Sequence, residues 1–136
     1  MDFFAYGTLM EPAVMTAVTG QRFSSQPAEL HGYRRFCVQD AVYPGLVAQP
    51  TAVTQGVLYC NLEADTFARL DTFEDGMYDR RSLAVEVDPR PPGRRSRSAE
   101  VYVTRSSERA RLSPEQWDPD RFRRWHLDTY LQRCAG

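Results

Sequence analysis

The sequence contains no lysine. All 17 of its basic residues are arginine, which excludes Schiff-base chemistry and a Walker-type phosphate lysine. Cysteine is scarce: Cys37, Cys60 and Cys134 are odd in number and show no C-x-x-C spacing. They support neither a disulfide framework nor a zinc knuckle, and reduced thiols are expected. The histidines, His31 and His126, lie far apart and have no carboxylate or cysteine neighbours at metal-ligand spacing. Each reads as a satisfied surface or core histidine, and no metal is expected. The absence of a G-x-S-x-G elbow argues against the common α/β serine hydrolases. No apolar run reaches the length of a membrane span, and the first residues lack the basic start and long apolar stretch of a signal peptide, so a cytoplasmic location is expected. A formal net charge of -1 gives no concentrated positive field, and neither nucleic acid nor an anionic membrane is expected as a partner. Arginine in place of lysine, with abundant alanine, proline and glycine, points to a GC-rich bacterial genome.

What remains, 136 residues that are 42% hydrophobic and 26% charged, suffices for one compact domain over residues 1–136 and is too short for two. The chain opens on "DFFAYGTLMEP". Phe3 to Tyr6 show no alternation, so they read as a strand buried on both faces that stops at Gly7. Glu11 and Pro12 suit the first turn of a helix running to Val18, with Ala13, Val14, Ala17 and Val18 inward and Gly20 as its end. Ala28 to Val38 reads as a strand broken at "HGYRR", followed by a turn "DAVYPG", a strand "LVAQ" and a clearer interior strand "VTQGVLYCNL". A helix "EADTFARLDTFEDG" follows. Two further strands, "MYDRRSLAVEVDP" and "SAEVYVTR", are joined by "RPPGRRSRS". The tail "SPEQWDPDRFRRWHLDTYLQ" has a Ser-Pro-Glu start and places Phe122, Trp125, Thr129 and Tyr130 near helical spacing. These elements predict a strand-rich α+β domain with helices outside a mixed, barrel-like sheet.

Two segments offer chemistry. The loop after the first strand puts a glycine and a threonine at a strand end, where backbone N–H groups can face an anion or a carbonyl. In the acidic helix, Phe67, Leu70, Asp71 and Glu74 share one face by their i, i+3, i+4, i+7 spacing. That face begins apolar and ends in two carboxylates, and an inward carboxylate is costly unless it is paired or has a task. Gly76 suits a position just past the helix end, so Glu74 falls near the negative pole of the helix dipole. Partial burial, that pole and Asp71 one turn away all push its pKa up, toward a useful proton shuttle. The competing reading makes Glu74 the ion-pair partner of Arg80 or Arg81, and Asp71 a structural acceptor. Arg90 to Arg97 could contact phosphate, but its prolines and serines favour a solvated hairpin loop.

Taken in order, "FAYGTLM", "YPGLV", "QGVLY", "LDTFEDGMYDRRSLAVEV" and "AEVYV" resemble the γ-glutamylcyclotransferase-like superfamily, in particular its avirulence-induced-gene-like branch, which is related to the γ-glutamylamine cyclotransferases. The resemblance covers about Phe3 to Val103, with an echo in "LSPEQW" and the tail helix. It implies a small mixed β-barrel with flanking helices, no metal and no cofactor, and a γ-glutamyl compound as substrate. In the reaction it implies, an acyl transfer, the α-amino group of a γ-glutamyl unit attacks its own γ-carbonyl, giving 5-oxoproline and a free amine. The family's glycine loop maps onto Tyr6, Gly7, Thr8 and Leu9, and its catalytic glutamate onto Glu74; Tyr43 and Tyr78 are candidate pocket walls. In many relatives a glycine follows the glutamate directly, whereas here Asp75 intervenes. A non-catalytic binding module that keeps the pocket is the alternative. The leaving amine and the oligomeric state are not readable.

Overall fold

The apolar run near the start of the chain has a core to fill on each side. In a computed structural model of the protein, which describes residues 1–87 and 95–135, Phe3–Ala5 form strand β1. Phe3 and Ala5 enter one buried cluster, while Phe4 and Tyr6 enter another. The remaining elements in chain order are α1 (Pro12–Thr19), β2 (Ser25–Val38), β3 (Pro44–Tyr59), α2 (Ala64–Phe73), β4 (Tyr78–Val87), β5 (Arg95–Thr104), β6 (Leu112–Gln116), α3 (Pro119–Trp125) and α4 (Leu127–Ala135). Short 3₁₀ helices occupy Thr8–Met10 and Ser106–Arg111.

The sheet runs β3-β1-β5-β4-β2-β6, and an additional β2–β3 pairing closes the first five strands into a barrel. Only β1 and β5 pair in parallel, with Phe3 opposite Glu100; the other pairings are antiparallel. Two of the seams are short: β1 meets β5 at Phe3 and Glu100, and β2 meets β4 at Ala28 with Val87 and Glu29 with Glu86. This is the expected α+β architecture, a small mixed barrel with flanking helices. One parity of side chains, including Phe4, Leu30, Leu46, Leu58, Val85 and Val101, fills the barrel. The other parity, including Phe3, Ala5, Tyr59 and Tyr102, packs with Val14, Met15, Phe67 and Leu70 of the helices.

Several local expectations are corrected. "LVAQ" and residues Val53 to Tyr59 of "VTQGVLYCNL" belong to the single strand β3, which runs on through an interruption of its ladder to β2 between His31 and Tyr33, while Cys60 to Leu62 lie beyond its end. Pro50 falls in that interruption, where its missing N–H costs no ladder bond. On α1 the buried residues are Val14, Met15 and Thr19, while Ala13 and Ala17 face solvent. In the tail, Ser113–Gln116 do not begin a helix. They lie in β6, which pairs with the end of β2. The helix starts later, at Pro119, capped by the Asp118 carboxylate accepting from the N–H of Asp120 at 2.9 Å. A break at His126 leaves Trp125 69% exposed and Thr129 outward, while Phe122 is buried. Of the basic stretch, Arg95–Arg97 open β5 and Arg97 pairs with Asp2 at 2.9 Å; residues 90–94 lie outside the described residues.

Candidate active site

Helix α2 presents Glu74. Thr66, Phe67 and Leu70 bury its inner face, and Glu74 follows as the C-terminal cap, its N–H donating to the Leu70 carbonyl at 2.9 Å. The chain then turns away through Gly76, whose φ of 81° lies in the left-handed region that glycine adopts without steric cost. The Glu74 side chain enters a cavity of about 210 Å³, to which the start of the chain, Tyr43, Tyr78, Tyr102, Arg111 and Tyr130 also contribute. Burial pushes this carboxyl up from 4.5 to about 8.

Among the described residues, the Glu74 carboxyl accepts no hydrogen bond and forms no ion pair. Arg80 is engaged elsewhere: its Nε lies 3.6 Å from Asp71 and 3.5 Å from Glu100, and its guanidinium sits 4.7 Å over the Phe67 ring. Asp71 accepts from the Tyr102 hydroxyl at 2.7 Å. The structural reading of Asp71 therefore holds. It is turned toward Tyr102 and Arg80, and burial rather than its charge raises the pKa of Glu74.

Beyond β1 the backbone turns at Gly7 into the 3₁₀ helix, closed by the Met10 N–H donating to the Gly7 carbonyl at 3.0 Å. The carbonyls around this turn are occupied. Arg35 Nη1 donates to the Tyr6 carbonyl at 2.6 Å, and the Tyr59 hydroxyl to the Leu9 carbonyl at 2.7 Å. The N–H groups of Gly7, Thr8 and Leu9 find no protein acceptor among the described residues. The loop thus offers donors to the cavity, the arrangement an anion or oxyanion requires. Gly7 has a second reason to be glycine: a Cβ there would stand 2.9 Å from the Pro44 ring. Close approach to Pro44, rather than access for a ligand alone, fixes this residue.

Phenols make up much of the wall. The Tyr78 hydroxyl donates to the Pro44 carbonyl at 2.6 Å, the Tyr6 hydroxyl to the Tyr102 carbonyl, and the Thr8 hydroxyl to the Tyr130 oxygen at 3.3 Å. Burial pushes Tyr6, Tyr78 and Tyr102 well above the ordinary phenol range, and Tyr130 up to about 12. All of these phenols are neutral at physiological pH, so Glu74 is the wall residue whose charge changes most readily near neutrality.

A family model described as "Gamma-glutamyl cyclotransferase, AIG2-like" matches residues 3–119. The chain belongs to this family. AIG2-like protein C of Arabidopsis thaliana is 28% identical over 135 residues, covering 96% of this chain and 69% of that protein. The solution structure of At3g28950.1 from Arabidopsis thaliana superposes with a TM-score of 0.71 at 25% identity, covering 97% of this chain and 78% of that one. The AIG2-like protein of Mus musculus gives a TM-score of 0.62 at 23% identity, covering 86% and 87% of the two chains. These relatives are plant and animal proteins, and they lend no support to the arginine-for-lysine bias as a bacterial signature.

In this cyclotransferase-family chain, Glu74, Tyr6, Gly7, Thr8, Leu9, Tyr43 and Tyr78 all line one cavity. Tyr78 serves as wall and core at once. Sequence reasoning missed Tyr102, Arg111 and Tyr130 as lining residues. For Tyr130 a signal existed in its helical spacing with Phe122, which it meets edge-on at 5.4 Å. Arg111 gave none.

His31 is the satisfied surface histidine expected, but it does have carboxylate neighbours. Glu29 shares its face of β2, and Glu86 stands opposite Glu29 on β4, which puts carboxylate oxygens 3.9 and 3.2 Å from His31 Nε2. An i, i+2 pair on a strand faces one way, and the cross-strand partner is invisible to linear spacing. This group is not part of the cavity wall. No helix among the described residues is long and apolar enough to cross a membrane.

Proposed function

We propose that this protein is a cyclotransferase acting as one domain over residues 1–136, converting the γ-glutamyl part of a small γ-glutamyl amine or peptide to 5-oxoproline and releasing the amine. The reaction is an intramolecular acyl transfer. The observation that carries the reading is one cavity shared by an unpaired carboxyl of raised pKa and a row of open N–H donors.

The proton count explains why one carboxyl suffices. The attacking α-nitrogen begins with three hydrogens and ends with one, whereas the leaving nitrogen begins with one and ends with three. Two protons therefore cross the site while the C–N bond to the γ-carbonyl forms and the old one breaks. Glu74 carries each in turn and finishes as it began. A carboxyl held at about 8 by burial in the cavity is closely matched to an α-ammonium group, and the arriving positive charge draws it toward its ionised form. The nucleophile belongs to the substrate, so the remaining task is to fold the glutamyl chain into attacking geometry. The N–H groups of Gly7 to Leu9 suit the substrate carboxylate or the developing oxyanion. Tyr43 and Tyr78 bound the space available.

The substrate is a small molecule rather than nucleic acid or a membrane, and the cytoplasm is the proposed location. Incubating the purified protein with a panel of γ-glutamyl amines, amino acids and peptides and measuring 5-oxoproline tests the reading. Turnover of at least one class is expected. Binding of panel members without any 5-oxoproline would instead identify a binding module that keeps the cyclotransferase pocket.

A further inference from the structure

Arg111 is the one cationic side chain among the described residues that line the cavity. It ends the 3₁₀ helix Ser106–Arg111; its carbonyl accepts from the Gln39 N–H at 2.8 Å, and the next residue, Leu112, pairs with Val38. The backbone is thus fixed to the end of β2. The side chain is 46% exposed, with Nη2 donating to the Tyr43 hydroxyl at 3.3 Å and Nη1 3.8 Å from Glu108, too long for a hydrogen bond. A guanidinium carries five N–H donors in a planar fork, and most of these are without a partner among the described residues. Arg35 is different: its Nη1 donates to the carbonyls of Tyr6 and Gln55, its guanidinium stacks on Trp117, and it is not part of the cavity wall.

Depth orders the cavity. Thr8 and Leu9 are buried, Gly7 and Tyr43 half-buried and Arg111 exposed, so the guanidinium lies nearer to solvent than the loop and marks the rim. Both proton transfers require the scissile bond beside Glu74. A glutamyl unit seated on the loop would fill the inner part, and the group attached to the leaving nitrogen would run outward to the rim.

We propose that Arg111, oriented by Tyr43, binds a carboxylate on the leaving group, so that the site selects γ-glutamyl amino acids or peptides over γ-glutamyl derivatives of simple amines. This rests on the cyclotransferase reading. Asp75 lines the same cavity and Glu108 lies beside the guanidinium. Their charges oppose an incoming anion, which makes the contrast between substrates more diagnostic than affinity alone.

The test compares γ-glutamylglycine with γ-glutamylmethylamide, which differ only by the leaving-group carboxylate. For the parent protein kcat/KM should favour γ-glutamylglycine by about 10-fold or more, the size expected of a charge-assisted fork. Arg111→Gln should bring the ratio near unity, chiefly through KM for γ-glutamylglycine. Arg111→Lys should keep part of the preference, Tyr43→Phe should weaken it, and Arg111→Glu should invert it. Absence of preference in the parent overturns the inference. So does an equal loss on both compounds in Arg111→Gln, which would place the guanidinium on the α-carboxylate that they share. If neither compound were turned over, the wider panel of γ-glutamyl compounds would decide the cyclotransferase reading, and the Kd ratio for the same pair would still decide the role of Arg111.

Discussion

The interior of the barrel and the layer between the barrel and its helices are filled differently. The interior is largely aliphatic, with Leu30, Leu46, Leu58, Val85 and Val101 around Phe4, and Tyr6 at one end. The outer layer holds Tyr59, Tyr78 and Tyr102 in its buried part, with Tyr43 and Tyr130 packed against it. A buried hydroxyl is tolerated only with a partner. The three buried phenols find theirs in the Leu9 carbonyl, the Pro44 carbonyl and the Asp71 carboxylate. Two of these acceptors belong to the cavity wall. Phenols in the outer layer therefore fix the walls of the site, while the aliphatic interior holds the scaffold beneath them. If that division of labour is right, substitutions in the two regions have separable consequences.

The largest effect should follow Glu74→Gln, which keeps the shape of the side chain and removes its exchangeable proton. Turnover, followed as 5-oxoproline, should fall by at least ~100-fold, within the typical range for general acid–base catalysis, with ligand binding retained. Unfolding caused by this substitution would show that the carboxyl is structural after all. Leu58→Ala should do the converse. Leu58 is fully buried in the barrel, so chemical denaturation should show a loss of about 2–5 kcal/mol, while turnover of the folded fraction at low temperature stays close to the parent value.

A third outcome concerns pH. Between 4.5 and about 8 the folded protein holds a proton on Glu74 that the unfolded chain has released. Stability from this group is therefore complete below the lower value, declines as pH rises, and levels off above the higher one. The slope is at most about 1.4 kcal/mol per pH unit. Glu74→Gln removes this slope, so urea titrations of the two proteins should diverge in favour of the variant from pH 5 to 8. Equal pH profiles would mean that the carboxyl ionises as freely as in the unfolded chain.

The smallest effect belongs to Tyr102→Phe. Asp71 loses its phenol donor but keeps Arg80 nearby and remains open to water. The expected loss is about 1 kcal/mol, measured by denaturation, with a smaller fall in turnover than for Glu74→Gln.

The parts of this site that the sequence displays are those built from adjacent residues. Glu74 stands out because Phe67, Leu70 and Gly76 define a helix face and its end within ten positions. The loop is visible because an apolar run stops abruptly at Gly7. Arg111 and Tyr102 reach the cavity only through sheet packing, and no local pattern marks their direction; Tyr130 shows only a helical spacing, which gives a face but not its destination. The same limit accounts for the tail. Ser113-Pro114-Glu115 has the chemistry of a helix start, yet the end of β2 offers a strand partner, and Asp118-Pro119 caps the helix instead. Gly7 shows a subtler limit, since its fit against Pro44 involves a residue far along the chain.

The parallel pairing of β1 with β5 has a kinetic consequence. Phe3 lies opposite Glu100, the Asp2 carbonyl accepts from the Glu100 N–H at 2.8 Å, and the other edge of β1 is held by Val57 to Tyr59. Closing the long loop from Phe3 to Glu100 is entropically costly and slow to find, so β1 is expected to dock late, after the hairpins β2–β3 and β4–β5 have formed. The N–H donors of Gly7 to Leu9 are carried on the end of that same strand. A folding intermediate with an open barrel would already possess Glu74 on its helix, but it would have no seat for a substrate, so the capacity to bind should arise together with the final closure.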